Sequence, residues 1–186
     1  ALLRVPGYKG NMQPITMIND MAVLSLNIRG HGNSQDEISS EDLEFVLMGV
    51  DKPQKYFYRG AFMDCLRGLD FLATQPEVDA QRMGVTGGSQ GGMLSLATAA
   101  LDSRVVLCAP DIPFVIDSFR AFDTTEWPGS IFRYGFKANL IKRSVASNVL
   151  RYFDPKNLAS RIKCPVFMGV GLQDPVTPAP TNFAAY

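Results

Sequence analysis

The sequence contains a single histidine, His31, among 186 residues. Zinc centres commonly use several imidazole ligands, so one histidine nearly excludes a histidine-based zinc site. Cysteine is scarce as well, since only Cys65, Cys108 and Cys164 occur, widely spaced and flanked by apolar residues. An odd number of such cysteines favours buried free thiols over a disulfide framework or a metal site. We therefore expect neither a bound metal nor a cofactor.

Net charge and long apolar runs are also absent. Eighteen basic and eighteen acidic residues balance to zero, so no electrostatic argument favours nucleic acid or an anionic membrane as a partner. No apolar run is long enough to span a bilayer. The composition that remains, 46% hydrophobic and 19% charged over the length of one domain, is typical of a globular enzyme. The compartment stays open, with the cytoplasm favoured over the periplasm or secretion.

A G-x-S-x-G motif centred on Ser89 is the most informative feature of the chain. It lies between Met83–Val85, which is typical of a short buried strand, and Met93–Ala100, which is typical of a buried helix. A strand, a glycine-lined turn and a helix together hold a serine in a strained conformation with its hydroxyl exposed. Glycines suit this turn because the backbone is tight and the helix passes close to the strand. We predict that Ser89 is a catalytic nucleophile; the alternative is a structural turn.

Apolar runs rich in β-forming residues alternate with helical patterns along the chain. This alternation predicts one α/β domain over residues 1–186, with a mostly parallel sheet and helices on both faces. Apolar residues at i, i+4, i+7 and i+10 from Phe62 predict an amphipathic helix from about Tyr58 to Thr74. The predicted strands are an apolar segment at the N-terminus, Ala22–Ile28, Met83–Val85, Arg104–Ala109 and Cys164–Gly171.

An oversized connection precedes the last predicted strand, because a simple crossover needs only a dozen or so residues. It covers about Phe114 to Phe153 and is rich in aromatic residues among basic ones. We predict a helical cap over the C-terminal edge of the sheet, which either shapes a substrate pocket and a subunit contact or forms only a small core of its own. Its aromatic residues include Phe119, Phe122, Trp127, Phe132, Tyr134 and Phe136.

A carboxylate follows the last predicted strand. Asp174 comes 85 residues after Ser89, in agreement with the serine, acid, histidine order of α/β-hydrolases. We predict that Asp174 orients a catalytic histidine; the alternative is an Asp that caps the turn beginning at Pro175. A serine also needs a general base. His31 precedes the serine in a loop after an earlier strand, so we expect the base to be a histidine beyond Tyr186.

The third requirement is an oxyanion hole. The backbone N–H of the residue after the nucleophile, here Gln90, supplies one donor, and an N–H from an earlier strand-to-helix loop supplies the other. The segment Pro6–Gly10 ends the first apolar run, and its glycines permit a close approach. We predict that Tyr8 is the second donor.

Several segments match one known family when they are taken together. They are Gly7–Gly10, Tyr58–Gly60 through Asp64–Arg67, Gly87–Gly92, Asp111–Phe114, Tyr152–Asp154, Gly171–Asp174 and Phe183–Tyr186. On these motifs the chain resembles the acetyl xylan esterase and cephalosporin C deacetylase group of carbohydrate esterases, within the α/β-hydrolase superfamily. The resemblance implies deacetylation of small acetylated sugars and xylo-oligosaccharides, often with activity on the acetyl group of cephalosporins. It also implies a homo-oligomeric ring with sites that face an inner cavity.

Two positions depart from the family pattern. His31 stands where the family usually has Gln, and Pro6 stands where it usually has His. The terminal His-Glu pair of the family does not occur in these residues, and Ala1–Pro6 begin without an initiator Met in what resembles the middle of a strand. We therefore expect the chain to be incomplete at both ends and inert as given. The eleven residues between Gly10 and Ala22 are fewer than a helical crossover needs, and this predicts missing residues there too.

Other functions remain open from the sequence. One is a broad carboxylesterase or a peptidase of the prolyl oligopeptidase type, since both share the nucleophile elbow. Another is a binding module on a hydrolase fold that has lost catalysis, because fold alone does not establish activity.

Overall fold

Four parallel strands form the sheet. The computed structural model describes residues 1–15, 20–35, 38 and 44–186. The strands are β1 (Leu2–Arg4), β2 (Val23–Ser25), β3 (Met83–Gly88) and β4 (Val105–Asp111). Their order in the sheet is β2-β1-β3-β4, so both short N-terminal strands lie on one side of the elbow strand β3. Part of the Gly10–Ala22 connection, residues 16–19, lies outside the described residues.

The predicted strand Cys164–Gly171 is wrong as a regular strand. Its residues run parallel to β4 but make only two isolated bridges, Cys108 to Val166 and Asp111 to Gly169. Backbone hydrogen bonds join this segment to β4 on both sides of Pro110, but Pro110 has no N–H to donate and so interrupts the ladder between them. The segment nevertheless ends at the same sheet edge as β4.

Two long helices accompany the strands, and both confirm the helical patterns in the sequence. Helix α1 (Phe57–Ala73) buries the apolar side that the spacing predicts, and helix α2 (Gln90–Leu101) directly follows the elbow. At Gly68, helix α1 comes close to the side chains of Leu3 and Leu26. Leu24 also lies beside Gly68, and it is the register partner of Leu3, so these side chains share the sheet face that α1 covers.

The predicted cap is helical. It consists of α3 (Ser118–Thr124), α4 (Gly129–Lys137) and α5 (Arg143–Leu150), and its buried side chains belong to the main hydrophobic core of the domain. Phe122 and Phe132 stack there with ring centroids 3.7 Å apart. Short helices α6 (Pro155–Leu158) and α7 (Ala179–Asn182), with 3₁₀ turns at Ala159–Arg161 and Phe183–Ala185, complete the described chain.

Asp154 joins the two ends of the cap through hydrogen bonds. Its buried carboxylate accepts hydrogen bonds from the Ser118 N–H at 2.7 Å and the Ser118 hydroxyl at 2.8 Å. It also accepts the N–H groups of Asp117 and Lys156. One side chain therefore joins the first residues of the cap to the first residues after it.

The three cysteines are free, as the sequence predicts. Cys65 and Cys108 are buried, and burial raises the pKa of both thiols to about 12. Cys164 is partly exposed, which corrects the expectation that all three are buried. Among the described residues, no helix is both long enough and apolar enough to cross a membrane.

Candidate active site

Ser89 occupies a strained backbone conformation between β3 and α2. Its φ is 56° and its ψ is −117°, values that side-chain-bearing residues rarely adopt. Its N–H donates to the Asp111 carbonyl at 2.9 Å. Its own carbonyl accepts from the N–H groups of Met93 at 3.1 Å and Phe114 at 3.0 Å. These hydrogen bonds hold the turn in place, and the geometry is that of the predicted nucleophile elbow.

Two glycines of the elbow bring the N-terminal loop close to Ser89. A Cβ on Gly87 would lie 2.6 Å from the Val5 carbonyl oxygen, and one on Gly91 would lie 2.5 Å from the same atom. Side chains do not fit at such distances. The segment after β1 therefore packs directly against the turn, as a loop that supplies an oxyanion donor must.

The predicted oxyanion donors are the backbone N–H groups of Tyr8 and Gln90. Gln90 is the first residue of α2, where an N–H has no intrahelical acceptor. Across the described chain, neither N–H donates a hydrogen bond to another protein group. The Tyr8 hydroxyl points elsewhere, since it donates to Glu44 at 2.6 Å. Burial, together with that carboxylate, raises the pKa of Tyr8 well above its usual value.

A buried hydrogen-bond network lies behind these donors. The Tyr58 hydroxyl donates to Gln90 Oε1 at 2.9 Å. The Gln90 amide nitrogen then lies 2.9 Å from His31 Nε2, and the Lys9 N–H donates to that same nitrogen at 3.1 Å. On the other side of the ring, His31 Nδ1 lies 3.0 Å from the Arg29 carbonyl oxygen.

These contacts define the protonation of His31. A carbonyl oxygen can only accept, so Nδ1 carries the proton that bonds to Arg29. A backbone N–H can only donate, so Nε2 presents its lone pair to Lys9. Burial lowers the pKa of the imidazole, and the Arg29 carbonyl opposes that shift only in part. Because its one lone pair is engaged, His31 is poorly suited to act as the base for Ser89, in line with the interpretation from the sequence.

Asp174 is held as a fixed carboxylate. Its Oδ1 accepts the N–H groups of Val176 and Thr177 at 2.8 Å each, and its Oδ2 accepts the Thr177 hydroxyl at 2.7 Å. Partial burial acts to raise the pKa of Asp174, but the hydrogen bonds from Thr177 and Val176 outweigh it and lower the pKa. Asp174 therefore caps its turn, and the same bonds keep it ionised and oriented, as a triad acid must be. Its catalytic role stays a prediction.

Two aromatic residues of the cap, Phe114 and Trp127, lie next to the elbow. Trp127 stacks on Phe114 with ring centroids 5.1 Å apart and meets Tyr8 edge-on at 4.9 Å. Phe114 itself donates its N–H to the Ser89 carbonyl. The sequence marks Trp127 only as one of many aromatic residues in the insertion. Trp127 contacts the oxyanion loop directly at Tyr8 and reaches the elbow through Phe114.

The support residues behind the site could be found in the sequence only in part. His31 follows β2, which runs in the same direction as β3, so the sequence predicts that His31 lies at the same end of the sheet as Ser89. It does not predict the hydrogen-bond partners of His31. Tyr58 and Glu44 carry no local signal, because each acts through a contact with a distant segment. In the part of the chain that the structure describes, no group of three His, Cys, Asp or Glu side chains is arranged to hold a metal ion.

The sequence profile of the acetyl xylan esterase (AXE1) family matches residues 3–186. The chain belongs to the acetyl xylan esterase family. It is 32% identical to the acetyl esterase Axe7A of Xylanibacter ruminicola over 142 residues, which cover 76% of this chain and 32% of that protein.

Two solved structures of this family have the same fold. They are the acetyl xylan esterase from Paenibacillus sp. R4, at 33% identity, and acetyl xylan esterase 1 from Thermoanaerobacterium sp. JW/SL YS485, at 34%. Each superposes on all of this chain with a TM-score of 0.87, and the chain spans 63% of each. A Pyrococcus horikoshii acylaminoacyl peptidase, at 18% identity and a TM-score of 0.70, shares the fold alone. The predicted α/β-hydrolase fold is thus confirmed.

Proposed function

We propose that this chain carries the nucleophile and oxyanion hole of a serine esterase that removes acetyl groups from acetylated carbohydrates, xylo-oligosaccharides among them. The observation that carries the proposal is the strained backbone conformation of Ser89 in the turn that follows β3. The chain that contains this turn belongs to the acetyl xylan esterase family. Acetyl xylan esterase is also the name of the two solved relatives of similar fold.

The proposed reaction proceeds through an acyl-enzyme. Ser89 Oγ attacks the acetyl carbonyl carbon as its proton passes to an imidazole, and the carbonyl oxygen becomes an oxyanion. The N–H groups of Tyr8 and Gln90 donate to that oxyanion. The C–O bond to the sugar breaks and the sugar oxygen takes the proton. Water then hydrolyses the acetyl ester of Ser89 by the same steps.

The base in this proposal is a histidine outside residues 1–186. His31 is the one histidine within them, and Lys9 and Gln90 occupy its lone pair. Asp174 is the acid that orients this histidine, because the residues 165–169 lie beside β4 and bring it to the sheet edge where β3 also ends.

In this proposal the aromatic rings of Trp127 and Phe114 determine which acyl groups the enzyme accepts. Trp127 and Phe114 stack beside the elbow, and we expect these rigid rings to restrict the space for additional methylene groups. We expect a steep preference for acetyl over butyryl esters, since an extra methylene in a closed apolar pocket overpacks it. Equal kcat/KM on acetyl and octanoyl esters would instead favour a broad esterase.

Kinetics on 4-nitrophenyl acetate and acetylated xylo-oligosaccharides test the proposal, with the protein at its full natural length. Ser89→Ala should lower kcat by at least about 10³-fold, because loss of the nucleophile leaves only the oxyanion hole and binding. Ser103→Ala is the matched control, since Ser103 is exposed and lies beyond the end of α2. Full activity in Ser89→Ala would reject the serine mechanism, and an inactive wild type would favour a binding module.

A further inference from the structure

His31 is a buried titratable side chain to which the proposed reaction assigns no role. It is 0% exposed, and its ring stacks on Phe45 with centroids 5.0 Å apart. All its polar atoms are engaged, with Nδ1 bound to Arg29 and Nε2 bound to Lys9 and Gln90. A buried imidazole with three directed contacts constrains the segments that supply them, and two of those segments carry the predicted oxyanion donors.

The first constraint acts on the loop around Tyr8. The N–H of Lys9 belongs to the peptide unit that follows Tyr8, and His31 Nε2 accepts it. Lys9 has a φ of 54°, in the left-handed region, so this loop conformation needs contacts that hold it. In the described chain, His31 is the group that accepts the Lys9 N–H.

The Gln90 side chain, which contacts His31, acts on the peptide unit that precedes Tyr8. The carbonyl of Gly7 accepts the Gly10 N–H at 3.0 Å and the Gln90 side-chain amide at 3.4 Å. In a trans peptide the N–H points away from the carbonyl. With the Gly7 carbonyl held toward the Gln90 side chain, the Tyr8 N–H points to the opposite side of the loop, where it meets no protein acceptor.

The third contact joins the two donors. Gln90 supplies its own backbone N–H to the proposed oxyanion hole, while its side chain is fixed between Tyr58 and His31. The imidazole is therefore the common partner of the Tyr8 loop and of the residue after the nucleophile. Hydrogen bonds of this kind are how supporting residues keep reacting groups within a fraction of an ångström of the productive geometry.

We infer that neutral His31 is a positioning residue for the oxyanion hole, holding the Tyr8 and Gln90 N–H groups in the arrangement that binds the transition state. The inference rests on the proposed esterase function. It assigns His31 no proton transfer and no contact with substrate. Loss of its acceptor atom should therefore weaken binding of the oxyanion, which develops only in the transition state, and leave binding of the substrate unchanged.

Three replacements of His31 separate the acceptor from the packing. His31→Phe retains an aromatic ring to stack on Phe45 but has no polar atom. His31→Gln places a carbonyl oxygen near the position of Nε2, where it can accept the Lys9 N–H, while its amide can donate toward Arg29. His31→Asn can donate to the Arg29 carbonyl but is too short to reach Lys9, and it gives a polar comparison if the Phe variant does not fold.

The experiment measures kcat and KM for 4-nitrophenyl acetate in the full-length protein, with thermal unfolding of each variant. We expect kcat to fall about 10²-fold in the Phe and Asn variants, the lower end of the loss of one oxyanion donor, with KM changed by less than about threefold. His31→Gln should restore kcat to within about fivefold of wild type, because it returns the acceptor.

The outcomes distinguish this inference from the proposed function. An active wild type with unchanged kcat in folded Phe and Asn variants would overturn the positioning role and leave the esterase intact. A Gln variant as impaired as the Asn variant would do the same, since the restored acceptor would then have no effect. A wild type without esterase activity would reject the proposed function, and the inference with it.

Discussion

Replacement of Gly91 by alanine should push the oxyanion loop away from Ser89. A Cβ at this position would lie 2.5 Å from the Val5 carbonyl oxygen and 3.2 Å from that of Pro6. Since real Cβ atoms essentially never approach closer than 3.0 Å, the Val5 carbonyl must retreat by about 0.5 Å. Tyr8 follows three residues later in the same loop, so its N–H is displaced with it.

The expected loss follows from that displacement. A misplacement of about 1 Å costs about 10²-fold in rate, so a shift of half that size predicts a loss of about tenfold in kcat with little change in KM. Overpacking costs about 1–3 kcal/mol, and alanine recovers about 1 kcal/mol over glycine within a helix. We therefore expect the free energy of unfolding to fall by about 0–2 kcal/mol.

Gly88→Ala is the matched control for this prediction. A Cβ on Gly88 meets nothing within 4 Å, although the residue is directly adjacent to Ser89. Hydrolysis of 4-nitrophenyl acetate and thermal unfolding of both variants give the comparison, with Gly88→Ala expected within about twofold of wild type. If both variants lost kcat equally, or if Gly91→Ala lost none, the close packing of the loop on the elbow would not govern catalysis.

Three further perturbations test other parts of the structure. Trp127→Ala should raise kcat/KM for butyryl esters relative to acetyl esters by about tenfold. The smaller side chain leaves space to bury two more methylene groups, each of which contributes about 0.8 kcal/mol. An unchanged ratio would show that Trp127 does not line the acyl pocket. His31 stays neutral in the native state while the unfolded chain gains a proton below about pH 6.5. Stability should therefore fall as pH falls through that range, by at most about 1.4 kcal/mol per unit, and urea titrations of wild type and His31→Gln should differ in that slope. Asp154→Asn should cost about 2–3 kcal/mol of unfolding free energy, because four hydrogen bonds converge on its carboxylate, whereas Asp123→Asn, at an exposed ion pair, should cost much less.

The elements with strong local patterns could be predicted from the sequence. Helix α1 has regular apolar spacing and the elbow has its glycines, so both agree with the structure to within a few residues. The segment Cys164–Gly171 was harder, because an apolar run indicates burial but not whether each backbone group finds a partner in a neighbouring strand.

The residues of the candidate site also divide into those that a local motif predicts and those that depend on contacts between distant segments. Ser89 and Gln90 are adjacent in a motif, so the sequence placed both on the elbow. The links of His31 to Lys9 and Gln90 join segments that are 22 and 59 residues apart. No local pattern encodes such contacts, because they depend on how the strands bring the loops together. The hydrogen bonds that make Asp174 a turn cap also hold it as an ionised, oriented carboxylate, so one geometry serves both the structural role and the proposed catalytic role.

The most direct test of the central claim is the location of a covalent adduct after reaction with diethyl 4-nitrophenyl phosphate, which phosphorylates activated serines. Peptide mass spectrometry of the full-length protein should find one adduct, on the peptide that contains Ser89, formed at equal rates in wild type and Ser103→Ala. Ser89→Ala should form none. An adduct on another residue, or none in a protein that still hydrolyses acetyl esters, would contradict Ser89 as the nucleophile.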